Sequence, residues 1–173
     1  MGVHVTSDLT EPWQGSLRWS LETLGGEVLK TGDEIVSAAP LASTRAVALD
    51  FADRVSDDNR RDLVFICELR REGRRVALAL ATFVPDKHLT LTDPELSVDV
   101  RQDGGQLHLT LLSRSLARFV ELALVGADVV FSDNFFDLPA RLPLTVTCPL
   151  PAGWSFDGAR QALRVRSLYD SYA

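Results

Sequence analysis

The chain has few of the residue types from which catalytic centres and disulfide scaffolds are built. Its 173 residues include two cysteines, three histidines and one methionine. Two cysteines are too few for a scaffold held together by disulfides, and Cys67 and Cys148 fall in strand-like segments of different halves of the chain. We interpret both as buried free thiols that behave as small hydrophobic side chains.

Long apolar runs and basic clusters are also missing. No run reaches the roughly 18 apolar residues that a membrane-spanning helix needs, and no signal peptide is visible at the N-terminus. We therefore expect a cytoplasmic protein with no membrane partner. The net charge of −6 is shared evenly, with 11 Lys+Arg and 14 Asp+Glu in residues 1–87 against 7 and 10 in residues 88–173. Without a basic stripe, nucleic acid is not an expected partner.

The histidines give no metal-binding pattern. His4, His88 and His108 are isolated in the sequence, and none has a Cys, His or acidic neighbour at the spacing of metal ligands. A zinc site needs three or four converging ligands. We therefore assign no metal-binding residue.

Acidic residues occur in pairs, at Asp57-Asp58 and at Asp93 with Glu95. Cleavage of a glycosidic bond needs two carboxyl groups held about 5 to 9.5 Å apart across a sugar. Neighbouring acids on one loop do not form such a pair. The sequence also lacks a Gly-x-Ser-x-Gly segment, and its Gly-Gly pairs are typical of hairpin turns rather than phosphate-binding loops. We assign no catalytic residue, no cofactor-binding residue and no cofactor.

The dominant apolar period is two residues, the period of a half-buried β-strand. Leu17, Trp19 and Leu21 alternate with polar residues, and the pattern recurs about every ten residues with Gly and Pro between the repeats. Strands at this spacing favour β-sandwiches. A hairpin turn at Gly25-Gly26 leads into a strand at Glu27–Lys30. The other expected strands carry the alternating sets 47–51, 63–69, 76–80, 96–100, 107–111, 120–124, 129–131, 144–148 and 163–169.

These strands fall into two series. The break lies at Pro85-Asp86-Lys87-His88, and a second run of strands begins after it. We therefore predict two domains, residues 1–86 and residues 87–173. No helix of ordinary length is required, and the charged segment 52–62 is expected to be an exposed connection.

The segment Phe131-Ser132-Asp133-Asn134-Phe135-Phe136-Asp137-Leu138 places three Phe around an Asp-Asn turn. Asp133, Asn134 and Asp137 offer oxygen atoms of the kind that Ca²⁺ accepts, but a calcium cage needs six or more of them. Asp and Asn also accept hydrogen bonds from nearby backbone amides and tolerate left-handed backbone. We predict that these residues cap a structural corner of a β-sandwich.

Aromatic side chains are the candidates for stacking on sugar rings. They are Trp13, Trp19, Trp154, Tyr169 and Tyr172. Trp19 alternates with core residues and is expected to be buried, whereas Trp154 and Tyr172 lie nearer loops or the terminus. Docking against another domain is the favoured role, because Trp and Tyr are enriched at interfaces, and carbohydrate binding stays open.

Three stretches carry a resemblance to a known family. They are Gly15-Ser16-Leu17-Arg18-Trp19-Ser20-Leu21 with Gly25-Gly26-Glu27-Val28-Leu29, then residues 85–91 with Pro94, then residues 111–124 with 131–138. In order and spacing they resemble the C-terminal region of the β-mannosidases of glycoside hydrolase family 2. The third includes that family's Ser-Asp-Asn-(Phe/Tyr)-Phe-Asp-Leu segment. After it the family commonly continues Leu-Pro-Gly-Glu, whereas this chain continues Pro139-Ala140-Arg141-Leu142-Pro143, so contacts of that loop are not carried over.

The resemblance implies an all-β fold of two consecutive immunoglobulin-like antiparallel β-sandwich domains. Residues 1–86 would follow a (β/α)₈ barrel, and residues 87–173 would be the C-terminal domain. In the family the acid/base and the nucleophile are glutamates on that barrel, and the acid/base follows an Asn. Here Asn59 and Asn134 precede Arg60 and Phe135, and a barrel needs roughly 250 residues.

The resemblance therefore implies non-catalytic accessory domains of a β-mannosidase-like hydrolase. That enzyme would release terminal β-D-mannose by a retaining mechanism, and its barrel and other domains would be the partners. Two alternatives stay open. The parent enzyme would act on β-glucosaminides, or the chain would be a free-standing carbohydrate-binding or adhesion module, which an exposed aromatic strip including Trp154 and Tyr172 would favour.

Overall fold

The computed structural model describes residues 1–172, which divide into two compact units. The first unit comprises residues 1–23 and 27–90, and the second comprises residues 24–26 and 91–172. Both are built mainly from antiparallel strands, which confirms the predicted all-β class. None of the helices in the described part of the chain is long and apolar enough to cross a membrane.

The first unit contains six strands in two sheets. The larger sheet has the order β3-β2-β5-β6, and β1 pairs with β4 in the smaller one. The strands are β1 (Gly2–Ser7), β2 (Trp13–Thr23), β3 (Val28–Ala38), β4 (Ala42–Ala48), β5 (Leu63–Arg71) and β6 (Arg74–Thr82). A 3₁₀ turn at Asp86–His88 follows β6.

Trp19 lies at the centre of the first unit's core. Its side chain is 6% exposed, and its ring lies 5.9 Å from the ring of Phe51 and 6.4 Å from that of Phe65. The prediction that Trp19 is buried is therefore confirmed. The register of β2 and β3 places Gly32 opposite Trp19, and the indole covers the glycine.

The second unit also contains two sheets, with the orders β11-β8-β7 and β10-β9-β12. One core cluster draws on the inward-facing residues of both sheets. The strands are β7 (Ser97–Asp103), β8 (Gln106–Leu112), β9 (Ala117–Leu124), β10 (Phe136–Leu138), β11 (Leu144–Pro149) and β12 (Leu163–Arg166), and a short helix, α1 (Phe156–Ala162), precedes β12.

The hairpin of β7 and β8 follows from its turn residues. Gly104 and Gly105 have φ angles of 53° and 81°, so both lie in the left-handed region. A two-residue turn with positive φ at both positions matches the twist of the flanking strands. The turn therefore sets the register in which Val98 faces Leu111 and Val100 faces Leu109.

The prediction of a strand at residues 129–131 is wrong. Residues 128–135 form no strand, and Val130 is 83% exposed. An alternation of only two apolar residues is too short to specify a strand. The polar groups just after it, at Ser132 and Asn134, bond to neighbouring strands through their side chains instead.

The last expected strand, at residues 163–169, is shorter than predicted. β12 ends at Arg166 because Ser167 caps a 3₁₀ turn at Leu168–Ser171. The Asp170 carboxylate accepts the Ser167 backbone N–H at 2.6 Å and its hydroxyl at 3.0 Å. This local capping box outweighs the alternation, so Tyr169 lies in the turn.

Among the strands and the α-helix, β1, β10 and α1 were missed, and β4 was expected at residues 47–51 instead of 42–48. The alternation of Val3 and Val5 with polar residues is visible in the sequence and marks β1. The helix α1 begins after Ser155, whose hydroxyl accepts the Gly158 N–H at 3.1 Å. β4 ends at Ala48, before Phe51, and the segment 52–62 is mostly exposed, as expected.

Because the Trp19 indole covers Gly32, we expect a substitution of Gly32 to lower the stability of the fold. A Cβ atom at Gly32 would lie 2.5 Å from Trp19 Cζ2, so Gly32→Ala must displace a buried indole. We expect a loss of about 2 kcal/mol in the free energy of unfolding, measured by urea denaturation, because overpacking a core costs about 1–3 kcal/mol.

Gly2→Ala is the matched control for this substitution. Gly2 also lies in a strand, but it is exposed and a Cβ there would meet only the His4 ring at 3.5 Å. We expect it to change stability by less than about 0.5 kcal/mol. Equal effects of the two substitutions would contradict the packing argument.

Candidate functional site

The predicted corner is a three-residue strap that joins the two sheets of the second unit. In this strap, residues 132–134, Ser132 donates its N–H to the Thr147 carbonyl of β11 at 2.7 Å. The Ser132 hydroxyl oxygen accepts the Thr147 N–H at 2.9 Å. Two residues later the chain bonds to β9 of the other sheet through Asn134.

Asn134 uses its side-chain amide as a substitute for a strand backbone. Its Oδ1 accepts the Leu122 N–H at 2.8 Å, and its Nδ2 donates to the Leu122 carbonyl at 3.0 Å. Phe136 pairs with Val120, so Asn134 and Leu122 lie two residues further along on each strand. The amide therefore extends the β10–β9 ladder by one pair of hydrogen bonds where the backbone has already turned away.

A β-bulge follows the strap. Between the pairs Phe136–Val120 and Leu138–Ala117, one residue of β10 faces two residues of β9. The single residue is Asp137, and the two facing residues are Arg118 and Phe119.

Asp137 holds both residues of the bulge. Its Oδ1 accepts the Phe119 N–H at 3.1 Å and lies 3.2 Å from Arg118 Nε. The Arg118 guanidinium in turn lies 5.0 Å from the centre of the Phe119 ring. Phe119 has a φ angle of 49°, a left-handed conformation that a non-glycine residue rarely adopts without support.

These bonds confirm the capping interpretation of the corner. Asp133 accepts the N–H of Asn134 at 2.9 Å, as local capping predicts. The bonds of Asn134 to Leu122 and of Asp137 to Phe119 reach another strand, which the sequence did not indicate. No cluster of three or more His, Cys, Asp or Glu suited to a metal ion occurs within residues 1–172.

The histidines are placed on separate elements. His4 lies on β1 opposite Arg45, and His108 lies on β8 opposite Thr147. His88 ends the 3₁₀ turn, and its carbonyl accepts the Arg61 Nε–H at 2.7 Å. Within residues 1–172, none of them belongs to a cluster of residues that could hold a metal ion.

The paired acids take part in local contacts. Asp57 pairs with Arg60 at 3.1 Å, and Asp93 accepts the Glu95 N–H at 2.9 Å. Glu95 pairs with Arg114 at 3.0 Å. All these contacts lie on exposed segments, where ion pairs contribute little to stability.

The aromatic candidates lie in different environments. Trp154 is half-buried and packs against the core of the second unit, whereas Tyr172 is 64% exposed. Tyr169 is half-buried. Trp13 is half-buried in the first unit, where its Nε1–H donates to the Ser7 hydroxyl at 2.9 Å and its ring borders a cavity of about 490 Å³.

Two exposed aromatic residues escaped the sequence reasoning. Phe119 is 40% exposed and Phe135 is 62% exposed, and both have left-handed backbone, with φ angles of 49° and 57°. Two adjacent Phe in the sequence, at 135 and 136, gave the only available signal. The bulge that orients Phe119 depends on a pairing that no local pattern specifies.

Because the Asn134 amide bonds to both backbone groups of Leu122, we expect its removal to lower the free energy of unfolding. Asn134→Ala leaves the N–H and C=O of the buried Leu122 without their partners. Each buried unsatisfied group costs about 1–3 kcal/mol, so we expect the free energy of unfolding to fall by about 3 kcal/mol in urea denaturation.

Asn59 supplies the matched control. It is the other asparagine of the chain, and its side chain likewise bonds to two backbone groups, the Ser56 N–H and the Arg54 carbonyl, both at 2.8 Å. These groups lie in an exposed loop, so water replaces the amide and Asn59→Ala should cost less than about 1 kcal/mol. A loss at Asn134 no larger than that at Asn59 would contradict the ladder role.

The two thiols differ in exposure. Both are free, Cys148 is 1% exposed and Cys67 is only partly buried, so the expectation of buried thiols holds fully for Cys148 alone. Burial raises the pKa of Cys148, and it raises the pKa of Cys67 against a smaller opposing effect of a hydrogen bond with Ala79.

These raised pKa values predict a loss of stability in alkali. Below the pKa of an unfolded-chain thiol, about 8.5, neither state is ionised and the stability is fully present. As the pH rises further, the unfolded thiols ionise first, so the free energy of unfolding falls until the folded thiols ionise too. In the double variant Cys67→Ala/Cys148→Ala, the free energy of unfolding measured by urea denaturation should fall less between pH 8 and pH 10 than in the wild type. An equal fall in the two proteins would exclude the thiols as its source.

Comparison with known proteins gave two family-model matches, one in each half of the chain. Residues 1–88 match the family model of the mannosidase Ig/CBM-like domain, and residues 91–171 match the mannosidase-type Ig-fold domain. No curated protein matched the sequence.

A solved structure shares the fold. It is a β-D-mannosidase from Dictyoglomus thermophilum, with a TM-score of 0.84 and 17% identity, covering 96% of this chain and 20% of that chain. This chain therefore spans about a fifth of that protein, and at this identity the likeness establishes the fold. The matches confirm the predicted immunoglobulin-like class: the chain belongs to the mannosidase Ig/CBM-like domain family and carries a mannosidase-type Ig-fold domain after it.

Proposed function

We propose that the chain is the accessory C-terminal part of a β-mannosidase-like glycoside hydrolase. Residues 1–86 would follow the catalytic barrel, and residues 87–173 would form the C-terminal sandwich. The observation that carries this proposal is the order of the two mannosidase-type domain matches, at residues 1–88 and 91–171. The fold shared with one fifth of a β-D-mannosidase supports it.

The chemistry would belong to the rest of the enzyme. The two domain matches leave only residues 89–90 and 172–173 unassigned, whereas a barrel needs roughly 250 residues. A retaining glycosidase places two carboxyl groups about 5–5.5 Å apart across the scissile bond. The parent barrel would supply them and release terminal β-D-mannose, or a terminal β-glucosaminide in a related specificity.

The role of this chain would be to support that barrel by packing against it. Phe119 and Phe135, with the 83%-exposed Val130, give the second unit apolar side chains for such a contact. Aromatic residues are enriched at protein interfaces, and strained backbone persists where it serves a function. In a longer chain that includes the barrel, oxidative footprinting should label Phe135 less than it does in this chain alone. Equal labelling of Phe135 in the two chains would contradict this contact.

We propose a cytoplasmic location. Cys67 and Cys148 are both free thiols, which suits a reducing compartment. Fractionation of the cells that produce it tests this location, because recovery with the secreted proteins would contradict it.

A free-standing carbohydrate-binding module is the second candidate function. The aromatic strip that would favour it is not supported at Trp154, which packs against the core of the second unit. The observation in its favour is the cavity beside Trp13 in the first unit.

The proposal predicts a folded chain without glycosidase activity. The purified protein should show a cooperative urea transition and should release no 4-nitrophenol from 4-nitrophenyl β-D-mannopyranoside above the buffer rate, because the proposal assigns both catalytic carboxyl groups to the barrel. A complete β-D-mannosidase assayed in parallel is the control. Turnover that disappears when an acid of this chain is replaced would contradict the assignment.

A further inference from the structure

The strand β6 forms one edge of the four-stranded sheet of the first unit. It pairs with β5 on one side, and within residues 1–172 no strand pairs with it on the other side. Alternate residues of an edge strand point their N–H and C=O groups away from the sheet, where only water or another strand can satisfy them. The free edge of β6 is therefore a template for one more strand.

The sequence of β6 leaves this edge without protection. Residues 76–82 read Val-Ala-Leu-Ala-Leu-Ala-Thr and contain no charged residue, no proline and no glycine. The irregularity in the pairing with β5 falls before Ala77, so the rest of the strand runs in regular register. Val76 is 55% exposed, and Ala77 and Ala79 are also exposed. A long, uncharged and exposed edge of this kind favours pairing with another chain.

The other edge strands of residues 1–172 are better protected against such pairing. None of them has an uncharged run as long as the seven residues of β6. They carry charges, end in proline or are short: Lys30, Asp33 and Glu34 lie on β3, Asp99, Arg101 and Asp103 on β7, Arg45 on β4 and Pro149 on β11, whereas β1 has six residues, β12 four and β10 three. Pairing of β6 with one of these edges is therefore disfavoured, which leaves β6 of a second copy as the matching edge.

Two copies of β6 are complementary when they run antiparallel about a two-fold axis. If the axis passes through Ala79, Leu78 of one copy lies opposite Leu80 of the other, and Ala77 lies opposite Ala81. Because side chains alternate between the two faces of a strand, leucine then meets leucine on one face and alanine meets alanine on the other. The same surface is used by both copies, as a two-fold interface requires.

The charges at the start of β6 favour this antiparallel arrangement. Arg74 and Arg75 are the first residues of the strand. In a parallel pair the arginines of the two copies would lie side by side, where like charges are destabilising. In the antiparallel pair Arg75 lies opposite Phe83, so Arg75 and its copy are about 27 Å apart at roughly 3.4 Å per residue. This distance exceeds the Debye length of about 8 Å, so their repulsion is screened.

We propose that the chain forms a closed dimer through the edges of two β6 strands. The four-stranded sheets of the two copies join into one sheet of eight strands, and neither copy keeps a free β6 edge for a third. A contact of about seven residues from each copy is smaller than the 20–30 residues of a standard interface, so the dissociation constant is on the order of 100 μM. The dimer does not depend on what the parent enzyme hydrolyses.

Sedimentation velocity at increasing protein concentration tests the dimer. A reducing agent is present throughout, so that the partly buried Cys67 thiol forms no disulfide between copies. We expect mainly the 19.0 kDa monomer at low concentration and mainly a species of twice that mass at high concentration. With the stated dissociation constant, these limits are reached at about 5 μM and about 500 μM. A monomer at the higher concentration, or species that grow beyond the dimer, overturns the proposal.

An exchange of charges at Ala79 tests whether β6 is the contact. Ala79→Lys and Ala79→Glu each bring like charges of two copies within about 5–8 Å, so each variant alone should associate at least about tenfold more weakly than the wild type. An equal mixture of the two variants should regain the dimer, because opposite charges then face each other. Both variants change an exposed residue, and a urea transition shows that each is folded. A mixture of folded variants that stays monomeric contradicts the contact.

Ile35→Lys is the matched control for this series. Ile35 is 80% exposed and lies on β3, the opposite edge strand of the same sheet. The substitution adds the same charge and removes a larger exposed apolar side chain than Ala79→Lys does. We expect the dissociation constant of the dimer to stay within about twofold of the wild-type value, because β3 is already blocked by charges. If Ile35→Lys weakened the dimer as much as Ala79→Lys, pairing through β6 would be contradicted.

Discussion

The side-chain amide of Asn134 is the interaction on which the corner of the second unit depends. The backbone of β10 leaves the ladder at Phe136. Two residues further along β9, the Asn134 amide supplies the donor and the acceptor that the Leu122 backbone needs. With the bonds of Ser132 to β11, it joins the two sheets of the second unit within three residues. A side-chain amide offers a donor and an acceptor in one plane, and asparagine carries it on the shorter side chain of the two amide residues.

This constraint explains why a segment rich in polar oxygen atoms is structural. Asp137 holds the bulge of β9 through the Phe119 N–H and Arg118, so its carboxylate is already engaged. Phe119 lies in this bulge and is exposed. Bulges bend the strand that carries the extra residue. Leu138, which follows the bulge on β10, is fully buried in the core. The side-chain oxygen atoms of Asp133, Asn134 and Asp137, which the sequence offered as metal ligands, therefore accept backbone N–H groups at the corner of the sandwich.

The sequence predicted those features that depend on neighbouring residues. Alternation identified the long strands around Leu17 and Leu109, and two consecutive glycines identified the hairpin at 104–105. The false strand at 129–131 shows the limit, because a two-residue alternation is outweighed by bonds to distant strands. The Trp13 cavity and the bulge at Phe119 depend on the register between strands, which no local pattern specifies.

Sequencing the coding region upstream of Met1 would show whether this chain is part of a glycosidase. If the chain is the accessory part of a glycosidase, one uninterrupted reading frame leads from a (β/α)₈ barrel with an Asn-Glu catalytic motif into Met1. A stop codon followed by a start signal just before Met1 would contradict it. The chain would then be an independent protein, and carbohydrate binding would become its leading function.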